Sequence, residues 1–217
     1  MKKKSFAVIG AGRFGTSVAL SLTKMGHDVL VIDSDEKKIQ ELSDRVTHAV
    51  QADTTNEHVL KTLGITNFDA VVVAIGTSLQ ASVLTSIILK ELGAKYILSK
   101  AQTDLHGKLL EKIGVNRVIF PERDMGLRIA RNLSSTNILD FIEFSPDYSV
   151  TEFIAPQKMH GKTLGGLHLR AMHGVNVIAI RSGEKINISP LADDIIQKGD
   201  LLIVIGENRV LEKFIKE

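Results

Sequence analysis

Three glycines near the start of the chain have the spacing of a phosphate-binding loop. Gly10, Gly12 and Gly15 directly follow the apolar run 6–9 and open a stretch with helical spacing of apolar residues. In such a loop the first glycine permits a tight turn, the second leaves room for a phosphate, and the third lets the helix pack against the strand. The helix N-terminus then offers free amides and a positive dipole end to an anion. The alternative is a glycine turn that only connects two elements.

Two aspartates follow the next apolar runs. Asp33 ends the second run, 18 positions after Gly15 (33 − 15). A carboxylate there in a dinucleotide-binding fold accepts a hydrogen bond from a ribose hydroxyl and repels a 2′-phosphate, which disfavours NADP. Asp53 follows the third run, where it is placed to meet the adenine. Each aspartate has an alternative role as a cap of the following helix.

Later strand ends supply further candidates for the same site. The small residues around Ile75 and Gly76 let a nucleotide lie across the sheet. Lys100 is placed to reach a phosphate or a ribose, with a solvated surface charge as the alternative. Glu122 is placed to bind a cation held by phosphates, with stabilisation of its own helix dipole as the alternative.

Arg13 lies inside the glycine loop itself. Backbone amides alone can hold a pyrophosphate, so its guanidinium is available for a third phosphate or for the ligand of a neighbouring subunit. The alternative is an arginine that faces solvent on the first turn of the helix.

Length and composition limit the possible classes. With 217 residues, the chain has room for one domain, or for one domain with a smaller partner. Its 27 basic and 25 acidic side chains nearly balance, which argues against nucleic acid as a partner. It has no cysteine, which excludes disulfides, thiolate metal sites and a cysteine nucleophile. No apolar run approaches the roughly 18 residues that span a bilayer, so we expect a soluble protein.

The elements that must position these residues follow from the hydrophobic pattern. Short apolar runs alternate with amphipathic stretches as far as residue 131, which predicts a doubly wound α/β sheet. Several runs are unbroken Val/Ile blocks, as expected for strands that are buried on both faces. The predicted strands are 6–9, 29–32, 49–50, 70–75, 96–98 and 118–120, and the predicted helices are 12–25, 35–45, 78–92, 104–113 and 122–135.

After residue 135 the pattern changes to short strands punctuated by glycines, which predicts a small α+β domain. Residues 137–146 are expected to be a connector, and residues 181–185 a hairpin turn. The predicted strands of this part are 149–155, 175–181, 185–188 and 201–205.

No catalytic constellation is visible in the sequence. The seven histidines are scattered, and the chain contains neither a GxSxG motif nor a complete Walker A motif, because Gly161-Lys162-Thr163 lacks the glycine that GxxxxGK[ST] requires at position 156. These observations favour a nucleotide sensor over an enzyme. The alternative is an NAD-dependent oxidoreductase, while a redox-sensing DNA binder would need a basic module that is not apparent here.

Over essentially its whole length, the sequence resembles the regulator-of-potassium-conductance (RCK, or KTN) family. It is most similar to the free-standing cytosolic subunits of bacterial Ktr potassium transporters. The matching N-terminal segments are 6–15, 31–33, 51–55, 74–76 and 121–125, and the matching C-terminal segments are 167–170, 174–180, 188–190 and 198–206.

This resemblance implies a regulatory subunit that lies in the cytoplasm at the inner face of the membrane. It implies a Rossmann-like nucleotide-binding domain over 1–135 with a crossover helix near its end, and a C-terminal effector and dimerisation domain over 136–217. Such subunits form dimers and an octameric ring beneath a membrane potassium-translocating subunit. ATP and ADP compete for their Rossmann site, ATP favouring the active ring and ADP the inactive one, and NAD(H) stays open as a ligand here.

The resemblance also implies roles for individual residues. Arg13 is expected to touch the γ-phosphate, including that of the neighbouring subunit, and Glu122 to help bind Mg²⁺ or another divalent cation. In the C-terminal domain, it implies that Arg170, Asn176 and Pro190 contact cyclic di-AMP. The complete predicted nucleotide site comprises Gly10, Gly12, Arg13, Phe14, Gly15, Asp33, Asp53, Thr54, Ile75, Gly76, Lys100 and Glu122.

Overall fold

The apolar runs in the first part of the chain form one parallel sheet. Its strands are β1 (Ser5–Ile9), β2 (Asp28–Asp33), β3 (His48–Gln51), β4 (Ala70–Val73), β5 (Ile97–Lys100) and β6 (Arg117–Ile119). The computed structural model describes residues 2–134, 138–143, 145 and 147–216. The strand order is β3-β2-β1-β4-β5-β6, which changes direction between β1 and β4, as in doubly wound dinucleotide-binding folds.

Helices connect these strands and bury both faces of the sheet. They are α1 (Arg13–Lys24), α2 (Glu36–Leu42), α3 (Glu57–Thr62), α4 (Leu79–Glu91), α5 (Asp104–Ile113) and α6 (Pro121–Ser134). On one face, Val8 and Val31 pack with Ala19 of α1. On the other, Ile9 packs with Leu89 of α4. Burial on both faces explains why the strands read as unbroken apolar runs.

The second part of the chain contains a smaller antiparallel sheet. Its strands are β7 (Ile138–Glu143), β8 (Tyr148–Ile154), β9 (Asn176–Ser182), β10 (Lys185–Asn187) and β11 (Leu201–Glu207), in the order β10-β9-β11-β8-β7. Two helices accompany it, α7 (Leu169–His173) and α8 (Asn208–Lys216). Phe153 of β8 and Phe214 of α8 meet edge to face in its core, with ring centroids 5.5 Å apart.

The predicted fold class is confirmed, and most predicted elements are present. All six predicted N-terminal strands and the hairpin around Gly183 occur, the latter as the antiparallel β9–β10 pair. The interpretation of 137–146 as a connector is wrong, because residues 138–143 form an edge strand paired with β8. Residues 137, 144 and 146 lie outside the described part of the chain.

The chain divides into two compact units within α6. The N-terminal unit ends at Asp124 and the C-terminal unit begins at Met125. The predicted boundary between 135 and 136 falls on residues outside the described part, and it stays a prediction. None of the helices in the described ranges combines the length and the apolar character needed to cross a bilayer.

Candidate functional site

Close backbone contacts explain two of the three loop glycines. Gly10 has a φ of +98°, and a Cβ there would lie 3.0 Å from the carbonyl carbon of Ala74. A Cβ on Gly15 would lie 1.9 Å from the carbonyl oxygen of Gly10, so α1 packs directly against the end of β1. Both positions therefore require glycine, as the motif predicts.

Gly12 differs from the other two, because a Cβ there would meet no protein atom within 4 Å. It is the N-cap of α1, no side chain caps this helix end, and its first turn carries no acidic residue. The amides and the positive dipole end of α1 are thus left to an approaching anion. Of the next two residues, Arg13 is exposed, and Phe14 is partly buried against the core cluster that contains Val8 and Val31.

Asp33 is tied to the glycine loop by hydrogen bonds. Its Oδ2 accepts from the amide of Ala11 (2.6 Å) and its Oδ1 accepts from the amide of Asp35 (2.9 Å). The capping alternative is not what the structure shows, since Asp35 is the N-cap of α2 and accepts from the amide of Lys37. Asp33 therefore holds a nearly buried carboxylate, 10% exposed, at the end of β2.

Asp53 and Thr54 follow β3 at the same edge of the sheet. Asp53 accepts hydrogen bonds from the hydroxyl and the amide of Thr55, and these bonds lower the pKa of its carboxyl. Asn56, and not Asp53, caps α3. Thr54 is buried and its hydroxyl lies 3.0 Å from that of Thr85 in α4, so the wall of the site is anchored to that helix.

A cleft of about 220 Å³ opens where these elements meet, at the carboxyl ends of β1, β2 and β4. This is the point at which the strand order changes direction, where doubly wound sheets bind their ligands. Seven of the twelve predicted contacts line it, namely Gly10, Gly12, Asp33, Asp53, Thr54, Ile75 and Gly76. The residues that sequence reasoning missed include Ser34, Lys38, Thr55, Thr77 and Ser78.

Lys38 is the most consequential residue among those missed. Its Nζ lies 3.5 Å from both carboxylate oxygens of Asp33 and 3.7 Å from Asp35. A basic residue three positions after Asp35, in the first turn of α2, is the signal that would have found it. It partly neutralises the carboxylate that is expected to face a ribose.

Lys100 lies beside the cleft and is not a solvated surface charge. It is 8% exposed, and a Cβ on Gly76 would lie 3.6 Å from its Nζ. Its ammonium forms an ion pair with Glu122 in the first turn of α6. The hydrogen bond from this ammonium lowers the pKa of the Glu122 carboxyl.

The C-terminal unit has a separate shallow pocket of about 300 Å³. Arg170 and Asn176 both line it, whereas Pro190 does not. His168, at the same pocket, has a φ of +47°, a conformation that non-glycine residues rarely adopt. The structure thus brings together two of the three residues predicted for a cyclic dinucleotide.

Metal-ligating side chains do not cluster in the part of the chain that the structure describes: no three or more of His, Asp or Glu are grouped to hold an ion. A Mg²⁺ ion that is bound mainly by phosphate oxygens needs only one or two protein carboxylates. Glu122, whose side chain is 70% exposed at the edge of the site, fits that donor set.

Together, the glycine loop, the acid at the end of β2 and the cleft at the switch point define a ligand-binding domain of the dinucleotide-binding class. The TrkA-N domain family matches residues 6–121, and the TrkA-C domain family matches residues 150–217. The chain belongs to the family that joins these two domains, the RCK or KTN family.

Two relatives that match almost end to end are named as potassium uptake proteins. The chain is 48% identical over 214 residues to Ktr system potassium uptake protein C of Bacillus subtilis (strain 168), which covers 99% of this chain and 97% of that protein. It is 45% identical over 217 residues to Ktr system potassium uptake protein A of the same organism, covering 100% of this chain and 98% of that protein.

Among solved structures, the chain is similar to the GsuK channel bound to NAD, with a TM-score of 0.71 and 19% identity. The match covers 100% of this chain and 40% of that one. The GsuK RCK domain gives a TM-score of 0.70 at 18% identity, over 99% of this chain and 47% of that one. At these identities the similarity supports the fold alone.

Proposed function

We propose that this chain is a non-enzymatic regulatory subunit of a potassium uptake system and that adenine nucleotides binding in the cleft control it. In this proposal ATP activates uptake and ADP inactivates it. The potassium role is supported by relatives that match almost end to end and are named as potassium uptake proteins. As a partner the proposal requires a membrane potassium-translocating subunit, against which this chain lies at the inner face of the membrane.

The observation that carries nucleotide binding is the open space in front of Gly12. There, the uncapped N-terminus of α1 faces the same cleft as the carboxylate of Asp33. An anion at the helix end and a ribose at the carboxylate are the two parts of a nucleotide that such a cleft recognises. The glycine loop holds phosphates through its backbone, and Asp53 and Thr54 close the adenine side.

Discrimination between ATP and ADP is assigned to Arg13 and Glu122. Arg13 is exposed at the start of α1, where its guanidinium suits the third phosphate of a neighbouring subunit's ligand. Glu122, with phosphate oxygens, would hold Mg²⁺ or another divalent cation, which neutralises phosphate charge. The assembly that this requires is a dimer and, from dimers, an octameric ring. A ligand shifts such a ring only through its different affinity for the two shapes.

A second effector site is proposed at the pocket of the C-terminal unit. Arg170 and Asn176 line it and offer a guanidinium and an amide to a phosphate or a base. Cyclic di-AMP is the ligand proposed here, with Pro190 as a third contact.

The test is a binding and uptake experiment with the full chain. We expect ATP and ADP to bind competitively, and ATP alone to stimulate potassium uptake by vesicles that hold the membrane subunit. Asp33→Ala should weaken both nucleotides, whereas Arg13→Ala should spare ADP binding and blunt the ATP response. Equal binding of NADH with turnover of a carbonyl substrate would instead support an NAD-dependent oxidoreductase, and failure of all adenine nucleotides to bind would refute the proposal.

A further inference from the structure

A nearly buried ammonium group lies close to Gly76 of the cleft wall and to the first turn of α1. Lys100 is the last residue of β5 and is 8% exposed. Its Nζ is 5.9 Å from the ring centroid of Phe14 in the first turn of α1, and the Cβ that Gly76 lacks would lie 3.6 Å from it. The ammonium is therefore placed between the helix end that attracts an anion and the cleft wall that follows β4.

The partner of this ammonium is a surface group. Glu122, which accepts a hydrogen bond from Lys100, has a side chain that is 70% exposed, against 10% for that of Lys100. A buried cation needs a close anion, because burial without one is strongly unfavourable. An exposed carboxylate, in contrast, loses little when it returns to water. The pair is thus asymmetric: Lys100 requires an anion, and Glu122 does not require Lys100.

We propose that Glu122 occupies the place of a ligand phosphate at Lys100, and that a nucleotide with enough phosphates displaces it. This inference rests on the proposed function, since it assumes that the cleft takes adenine nucleotides. Gly76 lines the cleft and has no side chain on the side of the ammonium, where the side-chain amide nitrogen of Gln102 lies 3.5 Å from the position of a Cβ. Glu122 in this position is an internal competitor that weakens binding of phosphorylated ligands.

The exchange gives the site a selectivity for phosphate number. Adenosine gains nothing from Lys100, whereas a ligand whose phosphates extend to Gly76 gains a charge-assisted contact. The same event frees the carboxylate of Glu122, which the proposed function assigns to a divalent cation on the phosphates. Release of Glu122 and arrival of the ligand are then one step.

The experiment measures affinity of the full chain for adenosine, AMP, ADP and ATP in excess EDTA, so that divalent cations play no part. Glu122→Gln should tighten binding of the phosphorylated ligands about two- to fivefold, the range of an exposed ion pair. Lys100→Met should weaken ADP and ATP roughly tenfold or more, the size of a charge-assisted hydrogen bond, and change adenosine by less than about twofold. Asp104→Asn is the matched control, because it also removes one exposed acid that pairs with a basic residue, Arg123.

The double variant separates exchange from general electrostatics. In the Lys100→Met background, Glu122→Gln should no longer tighten binding. Equal tightening in both backgrounds, or equal tightening by Asp104→Asn, would overturn the proposal in favour of a long-range charge effect. Glu122 is mostly exposed, so we expect Glu122→Gln to fold even if Lys100→Met does not. Unchanged or weaker binding of phosphorylated ligands by Glu122→Gln would by itself overturn the proposal. If the wild-type chain binds no adenine nucleotide, the proposed function itself fails.

Discussion

Gly12→Ala separates binding from folding at the glycine loop. The added methyl group meets no protein atom within 4 Å, and the backbone of Gly12 (φ −73°, ψ −178°) suits alanine. Alanine is a poorer N-cap than glycine by up to about 1 kcal/mol. It also lowers the conformational entropy of the unfolded chain, which stabilises the folded state by about 0.4–1 kcal/mol. These two effects nearly offset, so the free energy of unfolding should change by less than about 1 kcal/mol.

The effect on nucleotide binding should be far larger. The methyl group would fill the open space between the N-terminus of α1 and the cleft, where a phosphate must approach the backbone. Loss of one charge-assisted hydrogen bond to a phosphate is worth about 1.5–3 kcal/mol. At about 1.4 kcal/mol per tenfold change, we expect affinity for ATP and ADP to fall by roughly ten- to 150-fold.

Two other glycines serve as comparisons in an equilibrium titration with ATP and in denaturant unfolding. Gly126→Ala also adds a methyl group to open space, but in α6 and at a residue that does not line the cleft, so it should keep full affinity. Gly15→Ala should fail to fold stably, since its Cβ would lie 1.9 Å from the carbonyl oxygen of Gly10. If Gly12→Ala binds ATP as tightly as Gly126→Ala does, phosphates do not pass over Gly12 and the reasoning is refuted.

Three further predictions concern single side chains. Asp33→Ala should weaken nucleotide binding at least tenfold in titrations. Asp35→Ala, which removes the cap of α2 and one exposed contact with Lys38, should lower stability by about 1 kcal/mol and change affinity far less. Equal affinities for the two variants would contradict the role of Asp33. The hydrogen bond from Lys100 lowers the pKa of Glu122, so the wild type should be more stable than Glu122→Gln at every pH above the ordinary pKa of 4.5. This difference in the free energy of unfolding should disappear as the pH falls through the lowered pKa, in denaturant unfolding curves measured at a series of pH values. A difference that persists in acid would contradict the prediction. Leu202→Ala, in the core of the C-terminal unit, should destabilise that unit by about 2–5 kcal/mol in denaturant melts, and a smaller loss would show that its core is loosely packed.

The fold was predictable wherever a strand is buried on both faces. Val/Ile blocks identify β1, β2 and β4 directly, because such strands exclude polar residues. Among the described residues, the edge strand β7 pairs with β8 alone. Its sequence contains Asp140 and Glu143, so its hydrophobic pattern is weak. Helix α8 was missed although Leu211 and Phe214, three positions apart, pack into the core.

The candidate site could be predicted at positions where a residue type has a single structural role, and not at positions where it has two possible roles. Glycine with a φ of +98° at Gly10 has no substitute, and the motif alone located it. Aspartates in the run 33–35 suit either a cap or a ligand contact, and only the hydrogen bonds distinguish Asp33 from Asp35. A sequence lists such residues in order but does not say which amide each one faces.

The pair of Lys100 and Glu122 shows that strand order can supply information that spacing alone lacks. The two residues are 22 positions apart, and taken singly each looks like a surface charge. Once β5 and β6 are neighbouring parallel strands, however, Lys100 lies opposite Ile119, the last residue of β6. Glu122 follows Ile119 by three residues at the start of α6, so its carboxylate must emerge at the edge where Lys100 ends. The strand order therefore places both residues at one edge of the sheet, and the structure shows that their side chains pair there.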